Sequence, residues 1–123
     1  MSEIKYAKIH SWAKPEGAEI LIGITEYAAE RMGDIIFVEL PEVGASLAAG
    51  KAYGSLESAK AVEDLTSPVT GTVARVNEEL VDVPETMNED PYGAGWTVAV
   101  AADGAELGET MEEAAYNAYV ESL

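Results

Sequence analysis

Short runs of β-forming residues, each closed off by glycine or proline, constrain this chain more than any other feature of its sequence. Ile20, Ile22 and Ile24 alternate with Leu21 and Gly23, the two-residue period of a strand. Asp34 to Leu40 carries Ile35, Ile36, Phe37 and Val38 in succession, and Pro41 ends it. Ala52 to Leu56, Thr72 to Val76 and Trp96 to Ala101 read as further short strands. Strands so short and so heavily punctuated predict a β-sandwich or barrel.

Helical signals are brief. Thr25 offers an N-cap to a helix over Glu26 to Met32, and Gly33 is placed to end that helix in a left-handed conformation. Pro84 to Met87 predicts a single turn, followed by loop chemistry from Asn88 to Gly93. Thr110-Met111-Glu112-Glu113 matches a capping box, which predicts a terminal helix over 110–123. Met111, Ala114, Ala115, Ala118 and Tyr119 would form its apolar face. The run Gly33 to Val38 is echoed at Gly71 to Val76, which fits a sandwich of two similar halves. Glu57 to Asp64 lies between them and should hold a hairpin turn. The expected fold class is mainly β with short helices, as one domain over 1–123 with the C-terminal helix packed on it.

Several kinds of chemistry are excluded. There is no cysteine, so disulfides, thiolate metal sites and a cysteine nucleophile are ruled out. His10 is the only histidine, and no nucleophile elbow accompanies it, so neither a multi-histidine metal site nor a hydrolytic triad is expected. The net charge of −16 would repel nucleic acid and anionic lipid and attract basic protein surfaces. The same charge would equally serve solubility or a salty cytoplasm. No apolar run reaches the length of a membrane span, and Met1 to Lys5 lack the apolar core of a signal peptide, so a cytoplasmic location is expected. Gly33, Gly44, Gly71 and Gly95 lack phosphate-loop spacing and are expected at turns. Glu106, Glu109, Glu112 and Glu113 could imitate a cation site, but the Glu109 to Glu113 portion is more simply favourable charge at a helix N-terminus, and no metal site is expected.

Lys60 stands out among the side chains. It falls at the predicted hairpin tip, where a modifying enzyme could approach it, and Ala59 and Ala61 leave it sterically open. The surrounding pieces are Gly23-Ile24-Thr25-Glu26-Tyr27-Ala28, Gly33 through Gly44, Glu57-Ser58-Ala59-Lys60-Ala61 and Ser67-Pro68-Val69-Thr70-Gly71. Asn77, Pro84-Glu85, Asn88, Pro91-Tyr92 and Gly95-Trp96 follow. In this order and spacing, from about Tyr6 to Tyr119, the sequence resembles the glycine cleavage system H proteins, a family of lipoyl carriers.

The resemblance implies a barrel-sandwich hybrid of the lipoyl- and biotinyl-carrier hammerhead type, with lipoic acid in amide linkage to Lys60. It implies a carrier rather than an enzyme. The arm would take the aminomethyl group of glycine from the decarboxylase (P protein) to the aminomethyltransferase (T protein). Dihydrolipoyl dehydrogenase (L protein) would reoxidise it, and a lipoate ligase or lipoyl transferase would attach it. Lipoamide supplies the chemistry and the protein supplies attachment and orientation. A chain without cysteine avoids disulfide exchange with its own arm.

Glu57, Ser58, Ala59 and Ala61 belong to the motif that the ligase reads in that family. Packing and hydrogen bonding within the hairpin are additional roles for Glu57 and Ser58. Asp64 matches an acidic position near the arm and would either hold the cargo amine or cap the turn. The family usually reads His-Glu-Trp where this chain has His10-Ser11-Trp12, and its Glu helps hold the loaded arm. Ser11 can hydrogen-bond but supplies no charge. His10 is expected to be packed or capping, with Trp12 and Trp96 as core anchors. Alternative readings are a lipoyl storage or relay protein serving other complexes and an unmodified interaction module. A biotin carrier would flank its lysine with methionines instead of alanines.

Overall fold

The computed structural model describes residues 4–123. Ten strands and four short helices follow one another in the order β1 (Lys5–Tyr6), β2 (Ser11–Glu16), β3 (Glu19–Ile24), α1 (Glu26–Met32), β4 (Ile35–Glu39), β5 (Ser46–Leu47) and β6 (Ala52–Ser58). Next come β7 (Val62–Thr66), β8 (Val69–Val76), α2 (Glu79–Asp82), α3 (Thr86–Glu89), β9 (Val98–Ala101), β10 (Glu106–Leu107) and α4 (Glu113–Glu121). All the predicted strands are present: β3, β6 and β8 run beyond the expected bounds, whereas β4 and β9 are shorter than expected. β1, β2, β5, β7 and β10 add short strands that no local alternation announces.

Two antiparallel sheets result. The larger has seven strands in the order β1-β2-β3-β9-β8-β10, with β5 also paired to β8. The smaller is β4-β6-β7, with β7 at its edge. Ile22, Val69, Val73, Val98 and Val100 form an aliphatic core for the large sheet. A second core joins α1, the small sheet and α2–α3 through Met32, Ile35, Val38, Leu56, Leu65, Leu80 and Met87. Tyr53 packs against both cores, and its hydroxyl meets Thr97 Oγ1 at 2.7 Å. An aromatic cluster of Tyr6, Trp12 and Tyr116 ties the N-terminal strands to α4, with the Tyr6 and Tyr116 rings stacked 5.1 Å apart.

Local chemistry explains α1. Thr25 Oγ1 accepts from the Ala28 backbone N–H at 3.3 Å, as an N-cap should. Gly33 ends the helix at φ 75°, ψ −159°. The positive φ is as expected, but ψ is extended rather than left-handed helical.

Four expectations need correction. The terminal helix starts at Glu113, with Glu112 as its cap and no side-chain cap bond. The preceding Met111 is held in extended backbone by two bonds to Tyr6, at 2.7 and 2.8 Å, and these override the capping box at Thr110. Ala114, Ala115 and Ala118 are exposed, because the α4 surface turned inward is centred on Tyr116. Asn88 and Glu89 belong to α3 rather than to a loop. Gly71 lies inside β8, where a Cβ would stand 2.5 Å from Val100, so close packing and not a turn requires glycine there.

Candidate functional site

Lys60 sits in the two-strand turn between β6 and β7, and its side chain is exposed. The turn is built by Ser58. Its backbone N–H donates to the Ala61 carbonyl at 2.9 Å. Its buried hydroxyl oxygen accepts from the N–H groups of Lys60 and Ala61 at 3.3 and 3.2 Å. A serine that satisfies the backbone two and three residues ahead is a local turn former. Ala61 is half-buried against the core of the small sheet, and Ala59 is exposed. Glu57 is exposed and paired in register with Phe37 on one side and Val62 on the other. Its carboxylate has no hydrogen-bond or ion-pair partner among the described residues.

The Lys60 stem folds back across the end of α1. A Cβ built on Gly33 would lie 3.2 Å from Lys60 Cε and 3.7 Å from Nζ. The glycine therefore supplies both the positive φ and the clearance over which the lysine passes. Asn88 fixes this turn from beneath. Its side-chain N–H groups donate to the Gly33 and Ala29 carbonyls at 2.8 and 3.4 Å, and its Oδ1 accepts from the Ile35 N–H at 3.0 Å.

Beside the lysine opens a cleft of about 270 Å³. Ile24, Ala28, Met32 and Leu56 give it apolar walls, and Ile9, His10, Ser11, Ala61 and Thr66 complete the lining with Arg31, Lys60, Glu63 and Asp64. The structure thus brings together Lys60, Ala61, Asp64 and Ser11, which the sequence singles out, and leaves Glu57 and Ala59 outside on the tip. Ser11 is 3% exposed, and its hydroxyl donates to the Thr66 carbonyl at 2.5 Å. That proton is already committed to joining β2 to β7. His10 is packed, as expected: it adopts φ 63°, and its Nδ1 lies 2.8 Å from the Tyr116 hydroxyl. That hydroxyl also meets Thr25 Oγ1 at 2.8 Å and is pushed up to about 12 by burial. Burial, aided by the Arg31 charge, holds His10 below its ordinary pKa. Trp12 is fully buried, and its indole N–H donates to the Pro91 carbonyl at 2.9 Å. Trp96 is only half-buried, and the Arg75 guanidinium lies 5.0 Å from its ring.

Sequence reasoning missed Arg31 and Glu63 as lining residues. Arg31 rests over the Tyr27 ring at 5.6 Å, and only the α1 period could have hinted at that placement. No group of acids and histidine suited to a metal ion occurs among the described residues.

The family profile described as Glycine cleavage H-protein matches residues 4–123. The chain is 44% identical to the Glycine cleavage system H protein of Myxococcus xanthus (strain DK1622), over 98% of this chain and 94% of that protein. It is 50% identical to the protein of that name from Beutenbergia cavernae, over 92% of this chain and 90% of that one. The crystal structure of a glycine cleavage system H protein from Mycobacterium marinum superimposes with a TM-score of 0.88 at 38% identity, covering 98% of both chains.

Proposed function

The chain belongs to the glycine cleavage H-protein family, and from that premise we propose that Lys60 is the residue that carries its lipoyl arm. Membership makes the chain a lipoyl carrier of the glycine cleavage system, working with the P, T and L proteins and not itself a catalyst. When bound, the arm supplies a dithiol–disulfide couple that takes up the aminomethyl group of glycine and is later reoxidised. Lipoyl storage or relay for other complexes is not favoured, since the relatives carry the glycine cleavage name.

The observation that carries the assignment is the path of the Lys60 side chain, which leaves an exposed tip and crosses Gly33 beside a cleft with apolar walls. An eight-carbon acyl chain ending in a ring with two sulfurs is apolar along its length. Ile24, Ala28, Met32 and Leu56 suit it, and the missing side chain at Gly33 gives its stem room. Ser58 holds the turn that presents Lys60. Glu57, Ser58, Ala59 and Ala61 form the recognition element for a lipoate ligase or lipoyl transferase. Ser58 and Ala61 act by shaping the turn, and Glu57 and Ala59 by standing exposed beside it. Asp64 and Ser11 border the resting place of the arm, Ser11 through its tie to Thr66. Residues 1–123 act as one carrier domain, and the cytoplasm is its place of work. No helix of the described residues is long and apolar enough to cross a membrane.

The test is labelling by a lipoate ligase followed by peptide mass mapping. All label is expected on Lys60, and Lys60→Arg should take up none. Label on another lysine in the wild-type protein would refute the assignment.

A further inference from the structure

Among the described residues, His10 alone outside glycine has a positive φ. Such a conformation persists where the surroundings dictate it. Here the His10 N–H donates to the Ala7 carbonyl at 2.9 Å, and the His10 carbonyl accepts from the Thr25 N–H at 3.0 Å. The His10 ring also ends a chain of side-chain hydrogen bonds. The Ala28 N–H donates to Thr25 Oγ1, which meets the Tyr116 hydroxyl at 2.8 Å, and that hydroxyl meets His10 Nδ1 at 2.8 Å.

This chain has a direction. Thr25 and Tyr116 are both buried, and each hydroxyl has one proton to give. If Thr25 donates to Tyr116 and Tyr116 donates to Nδ1, every proton has an acceptor. In the reverse direction Nδ1–H donates to Tyr116 and Tyr116 to Thr25. The Thr25 proton then has no acceptor, because Oγ1 has only Tyr116 and the Ala28 N–H beside it among the described residues. A stranded buried hydroxyl is costly, so the chain runs from Thr25 to His10. Nδ1 is thus the accepting nitrogen, and the proton of the neutral ring sits on Nε2. His10 lines the cleft and Tyr116 does not, so the edge opposite Nδ1 is the one that meets the cleft. Nε2 has no hydrogen-bond partner among the described residues.

The surroundings favour the same state. Tyr27 of α1 and Tyr119 of α4 stand against the ring at 4.7 and 6.2 Å, and Lys8 lies over the Tyr119 ring. Arg31, Lys60, Glu63 and Asp64 share the cleft with His10. Burial and the Arg31 charge oppose protonation, and protonation would also reverse the chain.

We infer that α4 serves the arm's site through this chain: Tyr116 and Thr25 fix His10 as a neutral imidazole whose Nε2–H is a donor for an acceptor on the lipoyl arm. The inference rests on the reading of Lys60 as the attachment residue. Acylation of Lys60 creates one strong acceptor, the amide oxygen, and the two sulfurs at the far end of the arm are weaker ones. A neutral donor can meet either without placing another cation beside Arg31. Tyr116 and Thr25 are positioning residues that touch no part of the arm.

His10 is the only histidine, so one imidazole signal set reports on the whole full-length protein. Long-range ¹H–¹⁵N correlation at neutral pH should show Nδ1 bare and Nε2 protonated, by at least about tenfold. A protonated Nδ1, or averaged tautomers, in the wild type would overturn the inference without any variant. Thr25→Ser keeps one proton to give and should keep the tautomer. Thr25→Asp still caps α1 but only accepts, so it should draw the Tyr116 proton and move the His10 proton to Nδ1. A folded Thr25→Asp protein with the wild-type tautomer would also overturn it. The Nε2–H resonance is then compared in unmodified, octanoylated and lipoylated protein. A downfield move in both acylated forms identifies the amide oxygen as the acceptor, and a move with lipoyl alone identifies a sulfur. No move in either form would overturn the donor role. Peptide mass mapping decides Lys60 separately, because the tautomer is read on the unmodified chain.

Discussion

The large and small sheets handle their side chains in opposite ways. In the large sheet, β9 runs between β3 and β8, and Val98, Ala99 and Val100 are all inaccessible to solvent. In the small sheet, Phe37 is 50% and Val62 71% exposed, flanking Glu57 beside the tip that bears Lys60. Apolar burial is the main favourable term in folding, so the first arrangement contributes stability and the second leaves much of that gain unrealised. What the small sheet gains is access: its outer face and hairpin tip stay open to a partner that must reach the lysine. The lesson is one of separation. A seven-stranded sheet with a closed core lets a neighbouring three-stranded sheet remain partly uncovered.

The sharpest way to break this contrast is a pair of truncations. Ile22→Ala, which empties a fully buried position in the large-sheet core, should cost about 2–5 kcal/mol of unfolding free energy. Val62→Ser, on the open face, should stay within about 0.5 kcal/mol, with equilibrium denaturation reading both. Equal losses at the two positions would show that the division of labour is wrong.

A smaller effect is expected at the junction of the two regions. Gly33→Ala places a side chain at φ 75°, in a region essentially reserved for glycine, and crowds the Lys60 stem. Stability should fall by about 1–3 kcal/mol. The rate of lipoylation should fall as well, and more than it does for a destabilised Ile22→Val protein, which leaves the tip untouched. A variant that is destabilised but labelled at the normal rate would mean that Gly33 serves the backbone only.

The smallest effect concerns pH. His10 is held below its ordinary pKa of 6.5, so the folded state binds this proton less well than the unfolded chain does. Its contribution to stability is complete above about pH 6.5 and is lost as pH falls through the lowered pKa. His10→Asn keeps a residue tolerant of positive φ but removes the titration. Midpoints of urea unfolding between pH 7.5 and 5 should therefore fall less steeply for the variant. Parallel slopes would assign the acid sensitivity to other groups.

Much of this molecule was legible in its sequence wherever the cause was local. Thr25 caps α1 through its own side chain, Gly33 ends the helix, and Ser58 shapes the Lys60 turn within three residues. What escaped depended on partners far along the chain. The capping box at Thr110 gives way to a bridge between Met111 and Tyr6. Tyr116 is the buried residue of α4 because it stacks on Tyr6, whereas the alanines beside it meet solvent. α2 has no capping side chain to announce it and is held by the burial of Leu80. The same limit applied at the site: Glu63 comes to the cleft beside Leu56 through the register of β7 against β6, which a single strand does not reveal.

The tie made by Asn88 has a consequence for how interchangeable that residue is. One amide gives protons to two carbonyls near the end of α1 and takes one from the start of β4, all more than fifty positions earlier in the chain. An aspartate of almost identical outline has oxygens where two of those protons must come from, and a leucine of similar bulk has no polar group at all. The ground over which the Lys60 stem passes is thus specified by the direction of hydrogen bonds rather than by the filling of space, and a substitution judged by volume alone would misread it.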